Sequence, residues 1–187
     1  MNLTRRSLTV SAVAMAAIGP LANSSARAAS REELTERGVA ALHKLEATHP
    51  RSRIFARNAK AVLIFPSVLK AGFIFGGETG NGVLLEHGRT AGYYNLSGGS
   101  WGIQIGGQDF SYALFFMTDS ALHYLEQSDG WSAGTGPSIV VINAGAAAEE
   151  DVTTLTHDVY AFPFNEKGLM ADLTLQGTKI SHIHPHH

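Results

Sequence analysis

Apolar positions early in the chain recur at helical spacing. Leu34, Gly38, Val39, Leu42 and Leu45 fall three or four residues apart on one stripe, with charged residues between them. Ser30-x-x-Glu33 ahead of the stripe is a capping box, in which the serine oxygen accepts from the Glu33 amide and the Glu33 carboxylate reaches back to the cap. His49-Pro50 stops the helix, because the residue before a proline is pushed out of helical geometry. A second, shorter helix is expected over Ser52–Asn58, with Arg53 and Arg57 one turn apart, Lys60 nearby, and Ile54 and Phe55 on the other side.

From Lys60 onward the period falls from 3.6 to 2. FIF (73–75), GVLLE (82–86), YYNL (93–96), WGIQIGG (101–107), SIVVI (138–142), VYAFPF (159–164), LMADLTL (169–175) and TKISHI (178–183) read as strands. One helix interrupts them over residues 120–127, capped by Thr118 or Asp119, with Leu122 and Leu125 inward and Ser128-Asp129-Gly130 ending it. Twelve of the twenty glycines lie between positions 72 and 107. Glycine inside a strand weakens it unless the sheet bends sharply or another backbone approaches, so this density favours a closed or strongly coiled antiparallel sheet. Gly80-Asn81-Gly82, His87-Gly88 and Gly98-Gly99 are spaced as hairpin turns of a meander. The expected fold class is α+β, with N-terminal helices packed on a strongly bent, glycine-rich antiparallel sheet or barrel with one inserted helix.

Composition adds limits. The chain has 187 residues, 44% hydrophobic and 16% charged, with no cysteine. That suits one compact domain and excludes a disordered chain, a disulfide framework and an acylated cysteine anchor. The net charge of −2 conceals an asymmetry: residues 29–70 hold eight Lys/Arg against four Glu, whereas residues 71–187 hold three against twelve acids. Nucleic-acid binding over the whole surface is thereby excluded, and a local basic patch is not.

Residues 1–28 read as an address rather than as structure. Thr4-Arg5-Arg6-Ser7-Leu8 precedes an apolar stretch, residues 8–22, that is too short to span a bilayer and is followed by the cleavage pattern Ala26-Arg27-Ala28. The arginine pair resembles a twin-arginine export signal; an ordinary signal with two adjacent arginines is the alternative. Cleavage near Ala28 leaves residues 29–187, periplasmic or secreted, as a single domain with a histidine-rich tail.

Several motifs carry candidate chemistry. Gly98-Gly99-Ser100-Trp101-Gly102 matches G-x-S-x-G, which in a hydrolase sets the serine on a strand-to-helix elbow; Asp158 and His182 follow in the chain order of a triad. The residues after Ser100 alternate as a strand, against that context. Gly76-Gly77-Glu78-Thr79-Gly80-Asn81-Gly82 lacks the lysine and hydroxyl of a phosphate loop. Glu149-Glu150-Asp151 lacks the spacing of a calcium loop. His182, His184 and His186, with His187, could share one transition-metal ion on an extended tail, or be incidental to a mobile one. Arg51, Arg53, Arg57 and Lys60, with Lys70 beyond, gather cations beside Ile54 and Phe55 in an otherwise acidic chain, which suits an anionic lipid surface or a solvated face that balances the acidic body.

Four segments, AVLIFPSVLKAGFIFGG (61–77), YYNLSGGSWGIQIGGQ (93–108), LFFMTD (114–119) and NEKGLMADLTLQGTKIS (165–181), together resemble the SYLF lipid-binding domain family over residues 34–183. Asp172 and Gln176 stand where that family more often has glycine and glutamate. The resemblance implies a non-enzymatic lipid-binding module, without cofactor, whose basic N-terminal helix region contacts membrane. Carried over by position, that region is Arg51, Arg53, Arg57 and Lys60, with Lys70 at the end of the first motif. The implied partner of an exported bacterial member is anionic phospholipid, not the actin or phosphoinositides of eukaryotic relatives. A serine hydrolase acting through Ser100 and a protein-binding envelope scaffold are the alternatives.

Overall fold

The computed structural model describes residues 29–72, 75–101, 106–128, 130–132, 134–142, 155–167, 175 and 177–186. Helices α1 (Arg31–Thr48) and α2 (Ser52–Asn58) come first. The long strands β1 (Ala61–Gly72), β2 (Phe75–Glu86), β3 (Arg89–Trp101) and β4 (Gly106–Phe116) follow. Helix α3 (Asp119–Gln127) separates them from the short β5 (Trp131–Ser132) and β6 (Ile139–Val141), and β7 (Val159–Lys167) and β8 (Thr178–Ile183) close the order. Ser30 caps α1 by accepting from the Glu33 amide at 3.2 Å, and Thr118 caps α3 by accepting from Ala121, as the capping signals require.

The eight strands form one curled half-barrel in the order β5-β8-β3-β2-β1-β4-β7-β6, antiparallel except for the β6–β7 pair. Both faces of its centre are buried, which is why residues 61–65 of β1 and 112–116 of β4 are unbroken apolar runs. One face sets Leu63, Phe65, Leu84, Leu96 and Leu114 against Ala121 and Leu125 of α3 and against Trp131. The other sets Ile64, Val83, Phe115 and Phe162 against Ala41 and Leu45 of α1 and Phe55 of α2.

Two expected turns are not turns. Gly80-Asn81-Gly82 runs through β2, and Gly98-Gly99 through β3. Opposite Gly80 and Gly82, β1 is bulged between Phe65 and Val68, and its backbone comes close: a Cβ on Gly82 would stand 2.6 Å from the Ile64 carbonyl oxygen, and one on Gly80 2.6 Å from that of Ser67. The glycines serve close approach in a bent sheet rather than chain reversal. His87-Gly88 is the true turn, with φ of 50° and 77°, the left-handed pair that a two-residue hairpin needs. The run 101–107 is divided, since Trp101 closes β3 and Gly106 opens β4. Residues 102–105, and the expected strand 169–175 apart from Leu175, lie outside the described residues.

Candidate functional site

The basic segment becomes a site through the way α2 is seated. Phe55 is buried among Phe115, Tyr160 and Phe162, with ring centroids 6.1, 4.9 and 4.9 Å away. This fixes the rotation of α2, and the residues two positions either side, Arg53 and Arg57, face outward and exposed. Antiparallel pairing of Ala61 with Glu86 then brings the His87-Gly88 turn beside Lys60. The result is a cleft of about 550 Å³ whose floor is Leu42, Ala56, Ala59, Val62 and Leu85 and whose rim carries Arg53, Arg57, Lys60, His87 and one carboxylate, Glu46. Lys60 Nζ also meets Asp119 Oδ2 at 3.1 Å, with both side chains well exposed.

Three of the five cations singled out in the sequence therefore converge. Arg51 is the N-cap residue of α2, exposed and outside the cleft lining. Lys70 departs from expectation. It lies ten residues along β1 from Lys60, about 30 Å at strand rise, and is buried beside its cross-strand partner Glu78. Burial pushes the Glu78 carboxyl above its ordinary pKa, and the Lys70 charge opposes that shift in part. Glu46 was not singled out, and His87 only as part of a hairpin turn. The β1–β2 register was the signal that could have found His87, because residue 87 follows the partner of the residue after Lys60.

The hydrolase constellation is not assembled. Ser100 lies within β3 paired with Gly76, whereas His182 pairs with Tyr94, six residues or about 20 Å along the strand. Asp158 precedes Val159, which pairs with Phe116 at the far end of the sheet. Its carboxylate is occupied by the Ser138 amide at 3.0 Å and hydroxyl at 2.9 Å and by the Thr118 hydroxyl at 3.2 Å, which hold its pKa below the ordinary carboxylate value. It ties β7 to the cap of α3 instead of orienting a base.

The tail histidines are brought only partly together. The rings of His182 and His184 are 4.6 Å apart and that of His182 packs edge-on to Tyr94, but among the described residues no three His, Asp or Glu side chains are placed to share an ion. Burial and the His184 charge lower the His182 pKa, and burial with the charges of Glu126 and Glu86 pushes the Tyr94 phenol up to about 12. The tail is docked on α1, since Arg31 donates from its backbone to the His186 carbonyl at 3.3 Å and from Nε to that of Pro185 at 2.9 Å. His187, Glu149-Glu150-Asp151, Asp172 and Gln176 lie outside the described residues.

Residues 97–184 match the family model described as Ysc84, Las17-binding protein actin regulator. No curated protein matches the chain. The matched span runs from the end of β3 through β8 and includes none of the cleft-lining residues, all of which lie between positions 42 and 88. It does include the third and fourth of the segments that resemble the SYLF family and most of the second, and over residues 97–184 the chain is similar to the Ysc84 family, consistent with a SYLF domain.

Proposed function

We propose that the protein is an exported, non-catalytic module that docks on anionic membrane lipid by taking a phosphate headgroup into the cleft between α1, α2 and the β2–β3 turn. The observation that carries this reading is the convergence of Arg53, Arg57, Lys60 and His87 around an apolar floor in a chain that is acidic elsewhere. Cations near an anionic bilayer contribute about 1 kcal/mol each, so Arg53, Arg57 and Lys60 together supply on the order of 3 kcal/mol, about a hundredfold in affinity. Ile54, 38% exposed on α2 beside Arg53, offers an apolar anchor at the same surface. A binding role without chemistry also suits a family described as a binding protein and regulator.

Export rests on the pattern of residues 1–28: an arginine pair, an apolar stretch and a small-residue cleavage site. It sets the protein against the lipids of the cell envelope, and the eukaryotic partners named in the family description are not carried over.

Vesicle co-sedimentation tests the reading. Binding is expected on vesicles containing phosphatidylglycerol or cardiolipin and not on purely zwitterionic ones, and it weakens between low and moderate salt because the Debye length shrinks toward about 8 Å. Combined substitution R53A/R57A/K60A should lower affinity by roughly a hundredfold and flatten the salt dependence. Unchanged binding by this variant removes the cleft from the mechanism. Failure of the wild type to bind any anionic vesicle removes the function.

A further inference from the structure

We propose that Glu46 makes the cleft selective for phosphodiester headgroups that carry a hydrogen-bond donor, a hydroxyl or an ammonium, over headgroups of equal charge that carry none. This rests on the docking reading above and names what the same cleft distinguishes. Glu46 is half-buried on α1 and lines the cleft with Arg53, Arg57 and Lys60. Even so, among the described residues it forms no ion pair; Lys60 is paired with Asp119 instead, and Arg37 with Glu33. A carboxylate that shares a cleft with two guanidinium groups and joins neither is separated from them by space. The cleft, about 550 Å³, has room for a glycerophosphate group between them.

The chemistry of the two sides is unequal. Guanidinium groups only donate, in a fork that fits phosphate oxygens, whereas an ionised carboxylate only accepts. A phosphodiester seated on Arg53 and Arg57 turns its substituent toward Glu46. A hydroxyl or ammonium on that substituent gives the carboxylate a charge-assisted hydrogen bond. A methyl group displaces water from the half-buried carboxylate and returns no hydrogen bond in its place. A phosphomonoester brings extra negative charge toward Glu46 and is repelled. The one acid on a basic rim thus lowers the attraction for anions in general and adds discrimination among them, a repulsive element that serves specificity.

Phosphatidylglycerol and phosphatidylmethanol test this directly, since both carry one negative charge and differ in whether the headgroup has hydroxyls. Wild-type protein is expected to bind vesicles containing a fixed fraction of phosphatidylglycerol about tenfold more tightly than vesicles with the same fraction of phosphatidylmethanol. Glu46→Ala should bind the two alike and bind phosphatidylmethanol more tightly than wild type does. Glu46→Gln, which keeps an acceptor but no charge, should retain a smaller preference and decides the matter if the alanine variant is poorly folded. Equal binding of both lipids by wild type, or an undiminished preference in the variants, overturns the inference while leaving docking intact. Absence of binding to either vesicle overturns both readings. Free glycerophosphoglycerol, the soluble phosphodiester with the same headgroup, should displace the protein only at concentrations far above those of the lipid; displacement at comparable concentrations means that the occupant is a soluble phosphodiester and overturns the membrane source.

Discussion

Phe55 is where the stability of the fold and the geometry of the cleft meet. It is 4% exposed and packs on Phe115, Tyr160 and Phe162, and it is the one buried apolar side chain of α2. Phe55→Ala removes a ring whose burial is worth roughly 2 to 3 kcal/mol in transfer free energy. It leaves a void bounded by rings on two paired strands, β4 and β7, that cannot simply collapse. A void of about 100 Å³ adds on the order of 2 kcal/mol, so the expected loss is about 4 kcal/mol, within the usual span for Phe→Ala. Urea denaturation followed by far-UV circular dichroism should show a lower midpoint with an unchanged slope. A helix of seven residues has little stability without its tertiary anchor. Arg53 and Arg57 therefore lose their placement as well, and binding to anionic vesicles should fall even where the rest of the chain is still folded. Phe55→Leu, which refills most of the space, should recover most of both. A loss below about 1 kcal/mol would refute the claim that this ring seats α2. Full vesicle binding by a destabilised but folded Phe55→Ala would refute the claim that the seat of α2 forms the cleft.

Two further predictions concern the rest of the sheet. Glu78 holds its proton to a higher pH in the folded chain than its ordinary value of 4.5, so the folded state binds more protons than the unfolded one above that value, and the stability it contributes is lost as pH rises through the folded pKa. Glu78→Gln should therefore raise the urea midpoint at pH 7 relative to wild type and have little effect at pH 4; parallel profiles for the two proteins would refute this assignment. Thr118→Ala removes the side chain that accepts from the Ala121 amide and donates to Asp158, and it should cost about 1 to 2 kcal/mol in chemical denaturation, whereas Thr118→Ser should cost little.

The legible parts of the sequence were those set by local rules. The Ser30 cap, the stop at Pro50, the bounds of α2 and the strand 178–183 follow from neighbours along the chain, and the structure has them. The two false turns show where local rules fail. Gly-Asn-Gly is a strong reversal signal until a second strand is known to bulge against it, and nothing near position 81 in the sequence reports the bulge at Pro66 and Ser67. Lys70 was misplaced for a similar reason. Proximity in sequence to a basic helix means little once a twelve-residue strand carries the side chain to the other end of the sheet, where alternation turns it inward beside Glu78.

The cleft lies between these cases. Its cations were visible as a cluster because they fall within eight positions on one helix and its exit, but its other wall comes from α1 and from a turn made thirty residues later. Bringing them together requires the β1–β2 register and the burial of Leu45 and Phe55 against the same sheet face. The family match lies on the other side of this division. Residues 97–184 supply β4, α3 and the outer strands, which fill one face and complete the other under α1 and α2, while all the lining of the cleft is drawn from residues 42–88. On the docking reading, the matched region is the scaffold and the N-terminal half is the reader. Substitutions on the cleft rim should then alter which lipid is bound without unfolding the chain, whereas those in the two cores should alter whether there is a folded chain to bind it.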